Sequence, residues 1–193
     1  MYKRQLDDFP PVLIFTDGAE GDVKGVYASC GALMVDPKTG IREYFGEPIP
    51  DELVAEWKDS GATRIISQAE LLPIVLAKEV WSKVIAGRKV LCFVDNEGAK
   101  FACVKMYSEI LHSRRILSIM AKAELKTQSW TWFTRVASHS NPSDPASRLE
   151  HDVMHCLFKA SRVRAAVPLT LKNVNSVIWG VCGLSPVFKC TVC

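Results

Sequence analysis

Two short apolar runs, each ending on an aspartate, constrain this chain more than any other feature. Residues 11–17 read PVLIFTD and residues 89–95 read KVLCFVD. A short apolar run bounded by turn signals is the pattern of a buried strand. Such a strand, stopping on Asp, delivers a carboxylate to the end of a sheet, just beyond the apolar interior. If the two strands are neighbours, Asp17 and Asp95 meet.

The residues around them supply a framework. Gly18, Gly21 and Gly25 mark a turn after the first run. Residues 24–36 (KGVYASCGALMVD) predict a second strand, with small residues on one side and larger apolar ones on the other. Pro37-Lys38-Thr39-Gly40 is a turn signal, and 41–46 (IREYFG) predicts a third strand, giving an antiparallel meander. In 47–66, Pro48 and Pro50 end the strand, and 51–59 fits one or two helical turns. That connection is longer than the fold needs, and the sequence gives it no role. A helix then opens at Ser67: Leu71, Leu72, Val75, Leu76, Val80 and Val84 follow a 3.6 period. Ser67 and Glu70 stand at capping-box spacing, and Gly87 ends the helix.

Beyond Asp95, helices are expected from about 96 to 107 and from 113 to 126. A fifth strand covers 129–137, a polar loop 138–143, and a last helix lies near 144–163. Trp130 and Trp132 share parity on the fifth strand, which predicts packing between sheet and helix rather than stacking on bases. The order β-β-β-α-β-α-α-β-α predicts an α/β fold: a mixed five-stranded sheet flanked by helices. With 193 residues, 48% of them hydrophobic, there is material for one real core and an extension. The expected division is 11–163 for the domain and 164–193 for a C-terminal extension, where charges thin out and Pro168 and Pro186 appear.

Four acids lie at element ends: Asp17, Asp95, Glu70 at the head of the first helix, and Asp144 at the head of the last. Singly, each has an ordinary reading. Asp17 could be a turn residue before Gly18, Glu70 the capping partner of Ser67, and Asp95 and Asp144 helix caps. Jointly they can converge on one point. Converged carboxylates repel and raise one another's pKa, and a bound cation removes that cost. Hard oxygen ligands suit Mg²⁺ or Mn²⁺. Two such ions about 4 Å apart can clamp the attacking water and the leaving oxygen of a phosphodiester, with no protein nucleophile.

These segments resemble the motifs of the ribonuclease H family, in family order, over roughly residues 11–150. Thr16-Asp17-Gly18-Ala19 is similar to the first motif, Gln68-Ala69-Glu70-Leu71 to the second and Val94-Asp95-Asn96 to the third. The most specific is Asn141-Pro142-Ser143-Asp144-Pro145-Ala146-Ser147-Arg148. It resembles the Asn-x-x-Asp-x-x-Ser-Arg stretch that closes ribonuclease H domains attached to retroelement reverse transcriptases. The resemblance implies a ribonuclease H-like fold, with Asp17, Glu70, Asp95 and Asp144 as ligands of two Mg²⁺ ions, Mn²⁺ being a possible substitute. It implies hydrolysis of the RNA strand of an RNA–DNA hybrid, with Gly18, Gln68 and Asn96 beside the scissile strand. It also implies a reverse transcriptase domain encoded elsewhere in a parent element. Many members carry a helper His about ten residues before the last Asp; here His139 is only five before it.

Other readings are weighed against this one. A DNA-directed nuclease of the same fold is an alternative. However, proofreading exonucleases want Asp-x-Glu where this chain has Asp17 and Ala19, and transposase-type enzymes place the helical acid last. A non-catalytic nucleic-acid-binding domain would have no need to hold four like charges together. Net charge is +3, and Lys100, Lys105, Arg114, Arg115, Lys122 and Lys126 fall in 96–126. They form either a phosphate-tracking face or an ordinary solvated one. The seven cysteines, the polar start and the lack of an apolar run near 18 residues predict a reduced protein without a membrane span, cytoplasmic or nuclear. Cys190 and Cys193, beside Cys182, lack a second pair for zinc. His151 and His155 stand at i, i+4 but lack the Glu of a zinc-protease motif.

Overall fold

The computed structural model describes residues 9–59 and 64–171. Its centre is a six-stranded sheet in the order β5-β4-β1-β2-β3-β6. Strands β1 (Val12–Val23), β2 (Val26–Val35) and β3 (Arg42–Pro48) form the expected antiparallel meander. Strands β4 (Lys89–Val94) and β5 (Trp130–Arg135) add in parallel on the other side of β1. The sheet is therefore mixed. The helices are α1 (Asp51–Lys58), α2 (Ile66–Val80), α3 (Ser82–Ile85), α4 (Glu97–Lys105), α5 (Leu111–Thr127), α6 (Asp144–Ser147) and α7 (His151–Cys156).

Helix α2 is buried continuously from Gln68 to Lys78 and packs on β1, β2 and α5. A helix apolar on all sides belongs in the middle of a core. The main core lies on this face of the sheet and includes Ile14, Met34, Phe45, Trp57, Trp81 and Ile116. A smaller core on the opposite face joins Leu33 and Tyr44 to Ala146, Met154 and Ala160. Among the described residues, the buried thiols Cys30, Cys92 and Cys103 all belong to the main core, and burial pushes Cys92 up to about 12.

Several expectations are corrected. The sheet has a sixth strand, β6 (Ser161–Arg162), pairing in parallel with β3. The last helix is not continuous: Leu149 takes a left-handed φ of 58° between α6 and α7, and the chain then turns into β6. Strand β1 does not stop at Asp17 but runs on to Val23, and the turn falls at Lys24 and Gly25. The capping box does not form. Helix α2 starts at Ile66, with Ile65 as an N-cap that makes no side-chain bond, so Ser67 lies inside it. In β2 small residues occupy both faces, because α2 lies on one and α6 on the other. Trp130 and Trp132 do not pack beneath a helix; on edge strand β5 they are 63% and 71% exposed.

The unassigned 47–66 connection has a packing role. Helix α1 offers the buried Glu56, which accepts hydrogen bonds from the Leu171 N–H (3.0 Å), the Thr170 hydroxyl and the Arg115 guanidinium (3.1 Å). Ala165 and Leu171 join the main core beside it. Cys182, Cys190 and Cys193 lie outside the described residues. Among the described residues, His151 and His155 belong to no cluster of three metal-ligating side chains, and no helix is long and apolar enough to cross a membrane. Of the basic residues in 96–126, Lys100, Arg115 and Lys126 are committed to Glu97, Glu56 and Glu79.

Candidate active site

The parallel pairing of β1 with β4 ends at Thr16 opposite Val94. Asp17, the next residue of β1, and Asp95, the first residue past β4, follow that last pair, so the two carboxylates meet where the parallel pairing ends although β1 itself continues. Glu70 reaches the same point from the first turns of α2. Gly18 makes that approach possible: a Cβ there would stand 2.4 Å from the Ala69 carbonyl carbon and 2.7 Å from the Glu70 nitrogen. One carboxylate oxygen from each of Asp17, Glu70 and Asp95 lies within 4.8 Å of the others.

This cluster is electrostatically expensive as it stands. Asp17 and Glu70 are each only 5% exposed. Burial pushes Asp17 up to about 7, a hydrogen bond from Ser147 opposes it, and the charges of Asp95 and Asp144 add to it. Burial, then repulsion from Asp95 and Asp17, raises Glu70 to about 10. Oε2 of Glu70 and Oδ1 of Asp95 are buried with no hydrogen-bond partner. Among the described residues, no Lys or Arg forms an ion pair with any of the three. Three hard oxygen donors, partly unsatisfied and without a protein counter-ion, fit a divalent cation.

Asp144 is not one of these three. It heads α6, and Nε of Arg148 donates to both its oxygens, at 3.0 and 2.9 Å. The rest of its motif serves Asp17. The Asn141 amide donates to the Thr16 carbonyl (3.1 Å) and to Oδ1 of Asp17 (3.5 Å). The Asn141 oxygen in turn accepts from the Ser143 hydroxyl (2.7 Å) and N–H (3.2 Å). The Ser147 hydroxyl donates to Oδ2 of Asp17. Asn141 and Ser147 thus orient a carboxylate more than 120 residues away in sequence.

Sequence reasoning missed Ser147 as a partner of Asp17, and it missed what seats α6. Asp17, Gly31 and Gly46 are cross-strand neighbours in β1, β2 and β3. A Cβ on Gly31 would meet the Ser147 nitrogen at 2.4 Å, and one on Gly46 the Ala146 oxygen at 2.3 Å. Helix α6 therefore lies directly on the strand backbones. The available signal was a glycine in the middle of two adjacent strands, which marks close backbone approach.

The other predicted residues are placed as follows. Asn96 caps α4, its Oδ1 accepting from the Ala99 N–H at 2.9 Å, so capping does not occupy Asp95. Gly18 is buried under α2. Gln68 is fully buried, with neither amide atom hydrogen-bonded. His139 lies exposed on a 3₁₀ turn, Ser138–Ser140. It lines a cleft of about 530 Å³ with Asn141, Asp144, Arg148 and Phe158.

No protein-family model matches the chain, and no curated protein is significantly similar to it in sequence. Solved structures are similar in fold. RNase H1 from the halophilic archaeon Halobacterium salinarum superposes with a TM-score of 0.54 at 18% identity, covering 74% of this chain and 99% of that one. The N-terminal RNase H domain of a Mycobacterium tuberculosis protein gives 0.53 at 12% identity, covering 74% and 94%. An RNase H1 isolated from compost by a metagenomic approach gives 0.51 at 16%, covering 73% and 98%. The same compost enzyme in complex with an RNA/DNA hybrid gives 0.50 at 15%, covering 67% and 88%. The mixed sheet, the helices on its two faces and these superpositions show that the chain has the ribonuclease H-like fold.

Proposed function

We propose that the protein is a metal-dependent endonuclease that hydrolyses the RNA strand of RNA–DNA hybrids. The observation that carries this reading is the buried group Asp17, Glu70 and Asp95, three carboxylates drawn together with no Lys or Arg paired to them among the described residues. The superposition on an RNase H1 bound to a hybrid supports the substrate class.

Asp17, Glu70 and Asp95 would hold one Mg²⁺ and Asp144 would help hold a second. When bound, such ions supply a water-derived nucleophile at neutral pH and neutralise the leaving oxygen. The remaining work belongs to the chain. Ser147 and Asn141 fix the orientation of Asp17, and the apolar walls of β1 and β4 limit water behind the site. The exposed imidazole of His139 lines the cleft and would assist departure of product. The Asn141–Arg148 stretch supports descent from a retroelement, with a reverse transcriptase domain as its partner. A cytoplasmic or nuclear location fits that origin.

The test is cleavage of a labelled RNA–DNA hybrid with Mg²⁺, beside duplex DNA and duplex RNA, by the wild type and Asp95→Asn. Hybrid-selective, metal-dependent cleavage lost in the variant is the expected result. Absence of hybrid cleavage by the wild type would sink the activity, and preference for duplex DNA would move the substrate. Equal cleavage by Asp95→Asn would sink the site.

A further inference from the structure

The acids assigned to the site do not share one electrostatic state. Among the described residues, Asp17 accepts only from the neutral Asn141 amide and Ser147 hydroxyl, and one oxygen each of Glu70 and Asp95 has no donor. Asp144 is already neutralised, both its oxygens taken by Nε of Arg148. The pair is one helical turn apart (i, i+4) at the exposed edge of the site, not in its interior. Arg148 is itself a wall of the cleft that holds Asn141 and His139.

We propose that Arg148 is a built-in counter-ion that occupies Asp144 until a second divalent cation displaces it, so that the two cation positions fill in order. This rests on the nuclease reading above. A cation entering the three-carboxylate group relieves repulsion and satisfies orphan oxygens. A cation recruited by Asp144 must first break a guanidinium–carboxylate pair. An exposed pair of this kind is worth at most about 1 kcal/mol, so it should weaken the second cation by up to about five-fold. The release has a second effect. The freed guanidinium is a phosphate-binding fork at the wall of the cleft. Arg148 would therefore become available to a substrate phosphate only as Asp144 turns to its cation. Positioning, not chemistry, is its role.

Mg²⁺ titrated calorimetrically into the metal-free full chain, with no nucleic acid present, tests this. The wild type should bind in two steps, the second weaker. In Arg148→Met the second step should tighten by up to about five-fold, with the first unchanged. Arg148→Lys, which keeps the charge, should restore the weak second step, and Asp144→Asn should abolish it. The ¹⁵N signal of Arg148 Nε should shift with the second step and not the first. An unchanged or weaker second step in Arg148→Met, or an Nε signal that moves with the first, would overturn the proposal. If Asp17→Asn still abolished the first step, the nuclease reading would survive that result. No Mg²⁺ binding to the wild type would remove both. Because Arg148 is exposed, Arg148→Met should melt with the wild type, which circular dichroism checks.

Discussion

Two buried aspartates flank the β1–β2 ladder differently, Asp17 midway along β1 and Asp36 just past the end of β2, and they are in opposite states. Asp36, just past β2, is 2% exposed. It faces the Arg88 guanidinium squarely, Nη1 and Nη2 each donating to one oxygen at 2.9 and 2.8 Å. The Lys38 N–H and Thr39 hydroxyl complete its shell at 3.0 Å each, and together they hold its pKa at about 2. Asp17 is buried almost as deeply, yet it is pushed up to about 7. At Asp36 the Arg88 hydrogen bonds outweigh the effect of burial, whereas at Asp17 burial outweighs the Ser147 hydrogen bond and the like charges of Asp95 and Asp144 add to it. A carboxylate gripped by a guanidinium fork is finished as a structural element. A group of carboxylates given only neutral donors is unfinished until a cation arrives, and sites of that kind are where chemistry is done.

That contrast can be broken by substitution. The largest effect expected is on hybrid cleavage in Asp95→Asn. Losing a metal ligand removes several kcal/mol of transition-state stabilisation, a fall of about 10³-fold or more in kcat, with melting no lower than the wild type's because a repelling charge is removed. If the variant instead unfolds, the cluster is structural like Asp36. Ser147→Ala should lower Mg²⁺ affinity or cleavage by about 10- to 100-fold, as loss of an outer-shell partner does. A Mg²⁺ dependence identical to the wild type would detach Ser147 from the site.

Asp36→Asn should do the reverse, costing about 2 kcal/mol of stability in urea denaturation at pH 7 while leaving cleavage per folded molecule intact. The sign follows from the lowered pKa. The Asp36 contribution is present above its ordinary value near 4 and is lost as pH falls towards 2, so the wild type should lose that increment there and the variant should not. The smallest effect has the opposite sign. Asp17 is raised in the fold, so the metal-free protein loses stability as pH climbs from about 4 through about 7. Asp17→Asn should flatten that slope; disrupting the bonds from Ser147 and Asn141 offsets most of the ~4 kcal/mol that the raised pKa represents, leaving a small net gain at pH 8 without metal. Parallel pH profiles for variant and wild type would erase the contrast.

The parts of this arrangement that were legible in the sequence are those written locally. PVLIFTD and KVLCFVD announce strands because an apolar run has few other uses, and their parallel register then delivers Asp17 and Asp95 to one end. The parts that were not legible depend on distant partners. Parity placed Trp130 and Trp132 on one face, but parity does not say whether a helix covers that face. Ser67 and Glu70 had the spacing of a cap, but α2 begins a residue earlier and Glu70 lies with Asp17 and Asp95 instead. The clamp of Asn141 and Ser147 on Asp17 spans 124 and 130 residues, and no local pattern encodes it.

The Glu56 junction has a consequence for the order in which the chain can be finished during synthesis. Two of its donors, the Thr170 hydroxyl and the Leu171 N–H, lie 114 and 115 residues downstream. Until the ribosome has released that stretch, α1 carries a carboxylate bound for the interior with part of its shell missing. The sheet can assemble from β1 to β5 beforehand, but helix α1 is sealed last. A nascent chain stalled before Thr170 would therefore be more vulnerable to proteases at α1 than at the Asp17 end of the sheet.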